Sequence, residues 1–312
     1  MPGKIVCIMG PTASGKTRLG VMLAERFNGE VVSADSMQIY RGMDIGTAKP
    51  TAEEMRGIPH HMIDVADPSE NYSAARYAEE ASKVVDDILG RGRLPFVVGG
   101  TGLYIDALIQ GREYAAFSGE TRERLNRELE ALGPEAMHEK LRLVDPAGAE
   151  RLHPNDTKRV IRALEVWEET GETITEHDRK SRELPPRYDA LIICLDYSDR
   201  ADLYARIDAR VDEMVRAGLF DEVRRLVSSG LDSSCTAMQA IGYKEAVRAL
   251  SGELTEDEAA ALIRQESRRN AKRQLSWIRR LDKAQHIVWE KTPDFDRACQ
   301  TSTDFMLEAG VI

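Results

Sequence analysis

Short apolar runs alternate with amphipathic segments in the first third of the chain. Residues 4–9 (KIVCIM) and 94–98 (LPFVV) are almost continuously apolar, as strands buried on both faces are, and residues 30–34 (EVVSA) form a shorter run of this kind. The spacing of apolar side chains predicts helices over residues 17–27 and 73–89. Strands that alternate with helices predict a parallel sheet that carries helices on both of its faces.

The pattern changes after residue 111. Charged helical segments without a convincing strand run from about residue 120 to 182, and one of these helices is predicted from Thr157 to about Thr170. A strand-like apolar run returns at residues 191–195. The simplest interpretation is an α/β core interrupted by an all-helical insertion domain, with the core in residues 1–112 and 187–312 and the insertion in residues 113–186.

The composition is that of a globular protein with a sizeable core. The chain has 312 residues, of which 42% are hydrophobic and 31% charged, so it is not disordered by composition. No apolar run approaches the ~18 residues of a membrane span, and residues 5–9 are too few for a signal peptide. We therefore expect a cytoplasmic protein without a membrane partner. Four scattered cysteines predict neither a disulfide framework nor a cysteine zinc site.

The charge is unevenly distributed along the chain. The formal net charge of −10 argues weakly against nonspecific nucleic-acid binding. Between residues 264 and 283, however, eight Lys and Arg side chains face only two acidic ones. Arg264, Arg268 and Lys272 recur at every fourth position, where like charges reduce helix stability. A basic stripe that is kept despite this cost suggests a partner with a phosphate backbone.

Residues 10–17 (GPTASGKT) fit the P-loop pattern G-x-x-x-x-G-K-[ST], after a predicted strand and before a predicted helix. In such a loop the glycines let the backbone wrap round phosphates, and the helix N-terminus adds positive potential. The lysine supplies a charge to the terminal phosphate, and the hydroxyl of Thr17 is placed for Mg²⁺. The sequence thus predicts a P-loop NTPase-like fold. The predicted phosphate-binding residues are Gly10, Thr12, Ala13, Ser14, Gly15, Lys16 and Thr17.

A P-loop indicates a bound di- or triphosphate and no particular reaction. A kinase or ATPase would also need an acidic residue at the end of a second buried strand to hold Mg²⁺. Asp35 and Asp196 both follow predicted strands, and their positions alone do not decide between them. A nucleotide kinase or ATPase that acts on or with RNA is therefore an alternative, and a nucleotide-gated RNA-binding protein without chemistry is another.

Several longer blocks resemble the bacterial tRNA dimethylallyltransferases, also called tRNA isopentenyltransferases. These blocks are residues 10–17, 33–50, 59–64, 99–104, 153–165, 239–244 and 271–277, and they occur in the family's order. The family transfers a dimethylallyl group from dimethylallyl diphosphate to the exocyclic amine of an adenosine. That adenosine lies immediately 3′ of the anticodon in tRNAs that read codons beginning with U. The resemblance implies a P-loop α/β core that holds the prenyl diphosphate and a helical insertion that helps to clamp the anticodon stem-loop. The sequence leaves the oligomeric state open, and a monomer is the default expectation.

The resemblance also implies two catalytic residues. Asp35 matches the family's catalytic aspartate, and a carboxylate that accepts one N–H of the adenine amine would raise its reactivity and take the proton. A role for Asp35 as a helix N-cap is the structural alternative. Thr101 matches the family's catalytic threonine, whose hydroxyl contacts the diphosphate. A Mg²⁺ ion at Thr17 would offset charge as the diphosphate departs.

The tRNA contacts implied by the resemblance fall in four segments. Within them, Gln38 could bond the adenine edge through its amide. From spacing alone, Lys158, Arg159 and Arg162 could equally form an ordinary solvated helix face. The implied contacts are Asp35, Ser36, Met37, Gln38, Arg122, Lys158, Arg159, Val160, Ile161, Arg162, Gln239, Ala240, Ile241, Gly242, Tyr243 and Lys244.

Overall fold

The computed structural model describes residues 2–111 and 119–312, and for residues 181 and 182 the backbone alone. Contacts between Cα atoms divide the described chain into two compact units. One comprises residues 2–111 and 187–312, and the other comprises residues 119–186. The domain boundary predicted at residues 112 and 113 lies outside the described residues.

The first unit is built on a parallel sheet of six strands. In chain order these are β1 (Gly3–Met9), β2 (Gly29–Ser33), β3 (His60–His61), β4 (Leu94–Gly99), β5 (Tyr188–Tyr197) and β6 (Gln285–Trp289). Their order in the sheet is β3-β2-β4-β1-β5-β6, and all neighbouring pairs are parallel. The predicted parallel α/β fold is thus confirmed, and the carboxyl ends of the strands meet at one edge of the sheet.

Fourteen α-helices are present in the described residues, together with a short 3-10 helix at Ala237–Gln239. Those before the insertion are α1 (Lys16–Arg26), α2 (Ala52–Met55), α3 (Ala74–Gly90) and α4 (Gly102–Gln110). The second unit contains α5 (Glu120–Leu132), α6 (Pro134–Val144), α7 (Pro146–Arg151), α8 (Thr157–Thr170) and α9 (Ile174–Glu183). After it come α10 (Arg200–Arg216), α11 (Leu219–Ser228), α12 (Tyr243–Leu250), α13 (Glu256–Ile278) and α14 (Phe295–Glu308).

Helices cover both faces of the sheet, so β1, in the middle of the sheet, is buried on both sides. Ile5 and Cys7 of β1 belong to one core cluster, which also contains side chains from α3, α4, α11 and α12. Val6 and Ile8, which point to the opposite face, belong to a second cluster with side chains from α1 and α14. The continuous apolar run of β1 therefore reflects burial on two faces, as predicted.

The second unit has a small core of its own. Helices α5 and α6 both pack against α8. Their fully or almost fully buried side chains include Leu125, Leu141 and Leu164. The described elements of this unit are all helices, and α8 spans the residues predicted for it. Across the described ranges, residues 2–111 and 119–312, no helix is long and apolar enough to cross a membrane.

Candidate active site at the carboxyl edge of the sheet

Three site segments follow three neighbouring strands. The P-loop follows β1, the turn that begins with Asp35 follows β2, and the turn that contains Thr101 follows β4, which lies between the other two strands. The backbone amide of Thr101 donates to the carbonyl of Ala34 over 3.2 Å. A Cβ atom on Gly99 would lie only 2.1 Å from that same carbonyl oxygen, so a residue with a side chain could not allow this approach.

The P-loop is held from outside through its carbonyl groups. The buried indole N–H of Trp289 donates to the carbonyl of Ser14 over 2.8 Å, and Nε of Arg206 donates to that of Ala13 over 3.3 Å. Gly15 takes a positive φ of 85° at the start of α1, and the ring of Phe295 occupies the space where a Cβ atom would stand. A loop whose carbonyl groups are bonded outward is suited to present its amide groups to an anion.

Two cations interact electrostatically beside this loop. Burial and then the charge of Arg210 lower the pKa of Lys16 to about 8, while Asp35 opposes the shift. Burial also lowers the pKa of Arg210, which lies on α10 and is again opposed by Asp35. Nζ of Lys16 donates to the carbonyl of Pro11 over 3.3 Å. Like charges held together in partial burial are costly, and an anion such as a diphosphate would relieve that cost.

Sequence reasoning did not find Arg210. It lies inside an amphipathic helix of seventeen residues that shows no phosphate-binding motif. Its proximity to Lys16 arises only because α10 packs beside the carboxyl edge of the sheet. A basic residue on an otherwise ordinary helix face gives no signal in the sequence that could have distinguished it from a solvated one.

The turn of Asp35 is joined to Thr101 through Ser36, the residue that follows Asp35. Oδ1 of Asp35 accepts hydrogen bonds from the amides of Met37, over 2.9 Å, and Gln38, over 3.4 Å. Asp35 therefore caps the turn that follows it, which is part of the structural alternative raised above. Oγ1 of Thr101 accepts from the amide of Ser36 over 3.1 Å. The structure thus brings together the two side chains that the resemblance singles out as catalytic.

The amide of Gln38 is engaged within the protein. Its Nε2 donates to the carbonyls of Thr47 and Ala48 over 3.3 and 3.2 Å, and its Oε1 accepts from the hydroxyl of Ser33 over 3.1 Å. Both amide hydrogens are therefore used. Reading of an adenine edge by Gln38 would require that one of these bonds be broken, so the structure favours a role in shaping the loop.

A buried carboxylate holds the next part of the same loop. The side chain of Glu222, on α11, is 2% exposed and accepts hydrogen bonds from the backbone amides of Asp44, Ile45 and Gly46 over 2.8–3.1 Å. The hydroxyl of Tyr243 donates to the same carboxylate over 2.6 Å. Four donors satisfy this buried charge, which explains why it is tolerated.

This arrangement limits which side chains of the predicted tRNA segment at residues 239–244 are accessible. Tyr243 is fully buried, and its pKa is raised by burial and by Glu222. Ala240 and Gly242 are buried too. The side chains of Ala240 and Tyr243 therefore do not reach the surface, and Gly242 has no side chain, so these three residues support the loop. Gln239 is exposed, and Ile241 and Lys244 are half-buried, so these three are the accessible members of the segment.

In the second unit, two predicted arginines share one buried carboxylate. Oε2 of Glu165 accepts from Nη2 of Arg122 over 2.6 Å and from Nη1 of Arg162 over 2.7 Å. The carboxylate is 2% exposed, whereas the side chain of Arg122 is 51% exposed. The shared anchor holds both guanidinium groups in place and leaves part of the Arg122 surface open to an anion.

The other predicted residues of α8 divide into two groups. Lys158 and Arg159 are exposed, and Arg159 pairs with Asp156 over 3.0 Å. Val160 and Ile161 are 1% and 4% exposed and belong to the core of the second unit. Their side chains pack in this core and do not present a surface to a ligand, so a tRNA contact at these two positions stays a prediction and would have to use the backbone.

The basic stripe on α13 has a partner inside the protein. Arg264 pairs with Asp212, and Arg268 pairs with Asp208 over 2.6 Å, so both arginines are neutralised by α10. Their spacing at every fourth position is explained by packing of the two helices, which corrects the phosphate-backbone interpretation for these two residues. The exposed basic residues that follow are Arg269, Lys272, Arg273, Arg279, Arg280 and Lys283.

The residues present fit a Mg²⁺ ion that is held jointly with a diphosphate. No group of three or more His, Cys, Asp or Glu side chains in the described parts of the chain could hold a metal ion by itself. Asp196 receives two hydrogen bonds from Arg200, over 3.0 and 3.3 Å, so its carboxylate is neutralised. Thr17 is half-buried in the first turn of α1. Mg²⁺ commonly takes few protein ligands together with substrate phosphates, as such a site would require.

Comparisons with known proteins agree with the resemblance seen in the sequence. A tRNA dimethylallyltransferase from Caldanaerobacter subterraneus is 50% identical over 295 residues, which are 94% of this chain and 93% of that protein. The protein of the same name from Halalkalibacterium halodurans is 49% identical over 300 residues, covering 95% and 93% of the two chains.

Solved structures show the same relationship. A full-length tRNA isopentenylpyrophosphate transferase from Bacillus halodurans aligns with a TM-score of 0.74 at 44% identity, covering 98% of this chain and 96% of that one. A eukaryotic dimethylallyltransferase described as acting on tRNA aligns with a TM-score of 0.84 at 31% identity, covering 98% and 80%. The family model for IPP transferase matches residues 38–281. The fold, the site segments and these matches agree, and the chain belongs to the IPP transferase family.

Proposed function

We propose that this protein transfers a dimethylallyl group from dimethylallyl diphosphate to the exocyclic amine of the adenosine immediately 3′ of the anticodon in tRNAs that read codons beginning with U, with release of diphosphate. The observation that carries the proposal is the convergence of an anion site with a carboxylate and a hydroxyl. The P-loop, Lys16 and Arg210 make the anion site, and Asp35 and Thr101 stand beside it. The names of the relatives support the choice of donor and acceptor.

The leaving group is stabilised by the P-loop side of the site. The bond between the allylic carbon and the diphosphate oxygen breaks, and its electron pair leaves with the diphosphate. The charges of Lys16 and Arg210 and the amides of the loop offset this growing negative charge. Thr17 would hold a Mg²⁺ ion together with the diphosphate, and when bound the ion would supply further charge neutralisation.

The amine is activated from the opposite side. Its lone pair is delocalised into the adenine ring, so it attacks an allylic carbon poorly unless a base accepts one of its hydrogens. The amides of Met37 and Gln38 hold Oδ1 of Asp35. We assign Oδ2 to the substrate amine, and the proton passes to this carboxylate as the carbon–nitrogen bond forms. The hydroxyl of Thr101, fixed by the amide of Ser36, lies at the junction of the two subsites.

The accessible cations support tRNA as the acceptor. Lys158 and Arg159 are exposed in one unit, and six exposed Lys and Arg side chains lie between residues 269 and 283 in the other. These side chains would bind phosphates, which position an RNA without reading its sequence. The target base must leave its stack to reach Asp35, as in other enzymes that modify bases. The proposed substrate also implies a cytoplasmic location.

The proposal is tested by product analysis. Purified protein is incubated with Mg²⁺, dimethylallyl diphosphate and total bacterial tRNA that lacks the modification. The tRNA is then digested to nucleosides, whose masses are measured by mass spectrometry. We expect prenylated adenosine in the complete mixture and none without the diphosphate. ATP turnover without prenylated adenosine would contradict the proposal and favour the kinase or ATPase alternative.

A further inference from the structure

One side chain of α13 bridges two loops of the site. Oε1 of Gln274 accepts a hydrogen bond from the P-loop amide of Thr12 over 2.9 Å, and its Nε2 donates to the carbonyl of Gly100 over 3.2 Å. The ladder between β1 and β4 ends at the pair Met9 and Gly99, so the loops have left the sheet where Gln274 joins them. The bridge therefore acts beyond the reach of the backbone hydrogen bonds of the sheet.

The loop around Thr101 is shaped to receive this helix. A Cβ atom on Gly100 would lie 2.2 Å from Nε2 of Gln274, and one on Gly102 would lie 2.4 Å from the ring of Trp277. Gln274 and Trp277 are three residues apart on α13 and so share one face of it. The helix thus touches the chain immediately before and immediately after Thr101, and the two glycines make that approach possible.

The helix that carries Gln274 is itself firmly placed. Ala271 and Leu275 are at most 3% exposed and pack in the core cluster that includes α1 and α14. Arg264 and Arg268 join the same helix to α10 through ion pairs. A side chain on such a rigid element holds a loop more closely than a side chain on another loop would.

We propose that Gln274 is a positioning residue that fixes the P-loop relative to the turn of Thr101, and thereby sets the distance between the diphosphate and the acceptor amine. The inference rests on the proposed function and adds a residue to its machinery. A neutral amide is the only side chain of this length that accepts from Thr12 and donates to Gly100 at once. Displacement of reacting groups by about 1 Å can lower a rate by about 100-fold, so loss of the bridge should be visible in the chemical step.

The matched variants are Gln274→Met and Gln265→Met. Gln265 is exposed on the same helix, so its replacement controls for the loss of an amide on α13. Single-turnover prenyl transfer is measured with saturating tRNA and dimethylallyl diphosphate. We expect Gln274→Met to lower the rate by about 10- to 100-fold at full amplitude, and Gln265→Met to leave it unchanged. A KM for the diphosphate that changes by less than about 3-fold would place the loss in the chemical step.

Two results would overturn the inference. An unchanged single-turnover rate would show that the bridge does not position the reacting groups. A lower amplitude at an unchanged rate would show that Gln274 supports folding only. Gln274→Glu gives a second variant, because it keeps an acceptor for Thr12 and lacks the donor for Gly100. It should lose at least as much rate as Gln274→Met.

Hydrogen exchange of the Thr12 amide detects the Gln274 bridge directly, without any measurement of prenyl transfer. The Thr12 amide should exchange about 10-fold or more faster in Gln274→Met than in the unaltered protein or in Gln265→Met. If the unaltered protein forms no prenylated adenosine while this difference is present, the proposed reaction fails and the bridge stands. Equal protection of Thr12 in all three proteins would show that the bridge does not form in solution.

Discussion

The two ends of the sheet use charged residues in opposite ways. Near the amino end, Glu30 of β2 is 2% exposed and receives hydrogen bonds from Arg91, Arg93 and His61. The bonds from Arg91 contribute most to lowering the pKa of Glu30 to about 2. Just beyond the carboxyl end of the same strand, Asp35 interacts with two cations: burial and the charge of Arg210 lower the pKa of Lys16, and burial lowers that of Arg210.

The difference shows how a stabilising network can be told from a binding site. At the amino end, one buried carboxylate is surrounded by its own donors, and the charge is balanced within the protein. At the carboxyl end, like charges are held together near a loop that can present amides, so a bound anion would complete the balance. The number of charged side chains is similar at both ends, and only their signs and spacing differ. Variants that change one end of the sheet at a time test this difference.

The largest effect is expected for Asp35→Asn. The amide cannot accept the proton of the amine, so we expect prenyl transfer to fall by about 10²- to 10⁴-fold. Asp189→Asn, an exposed aspartate on β5, is the control and should leave the rate unchanged. Single-turnover transfer to tRNA measures both. Transfer at the unaltered rate in Asp35→Asn would remove Asp35 from the mechanism.

Glu30→Gln should act on stability and not on catalysis. Loss of the shared carboxylate removes one partner of Arg91, which keeps Asp87, and a partner of Arg93. Because the side chains of these arginines are 40% and 38% exposed, we expect a cost of about 1–3 kcal/mol in the free energy of unfolding. Denaturant unfolding measures this cost, with Glu79→Gln at an exposed ion pair as the control. Because folding lowers the pKa of Glu30, its stabilisation is complete above about pH 4.5 and is lost as the pH falls toward 2. A lower transfer rate per folded molecule would contradict the separation of the two ends.

Arg210→Met should weaken binding of the donor. We expect the Kd for inorganic diphosphate to rise by about 10- to 100-fold, since one of the two interacting cations is removed. Arg216→Met, an exposed arginine at the end of the same helix, serves as the control. Calorimetric titration gives both constants. Equal affinity in the two variants would show that Arg210 balances Asp35 alone and does not bind the anion.

The smallest expected effect is a pH dependence of diphosphate binding. Because the pKa of Lys16 is lowered to about 8, the free protein loses this charge as the pH rises through 8, and binding then requires uptake of a proton. Affinity should fall by up to about 10-fold per pH unit above 8. Titrations in buffers of different ionisation enthalpy detect the proton. Lys16→Arg, which keeps its charge, should remove this dependence, and persistence of the dependence would assign it to another group.

Features that depend on residues close together in the chain could be predicted from the sequence, whereas contacts between distant segments could not. The P-loop and the parallel sheet were predicted because they rest on short motifs and on periodicity within single elements. Gln38 and Tyr243 were predicted as tRNA contacts within blocks that match the family. In the structure their polar groups bond to neighbouring loops and to Glu222, so the matching block locates the site without stating which side chains face the ligand.

The sequence by itself determined four of the six strands, the phosphate loop and the family, because each depends on residues that are close together in the chain. Tertiary structure alone decided that Arg210 interacts with Lys16, that Gln274 joins Thr12 to Gly100, and that the arginine stripe of α13 pairs with α10. These contacts join residues between 52 and 262 positions apart. Their formation depends on how whole helices pack on the sheet, and no local pattern of residues encodes that packing by itself.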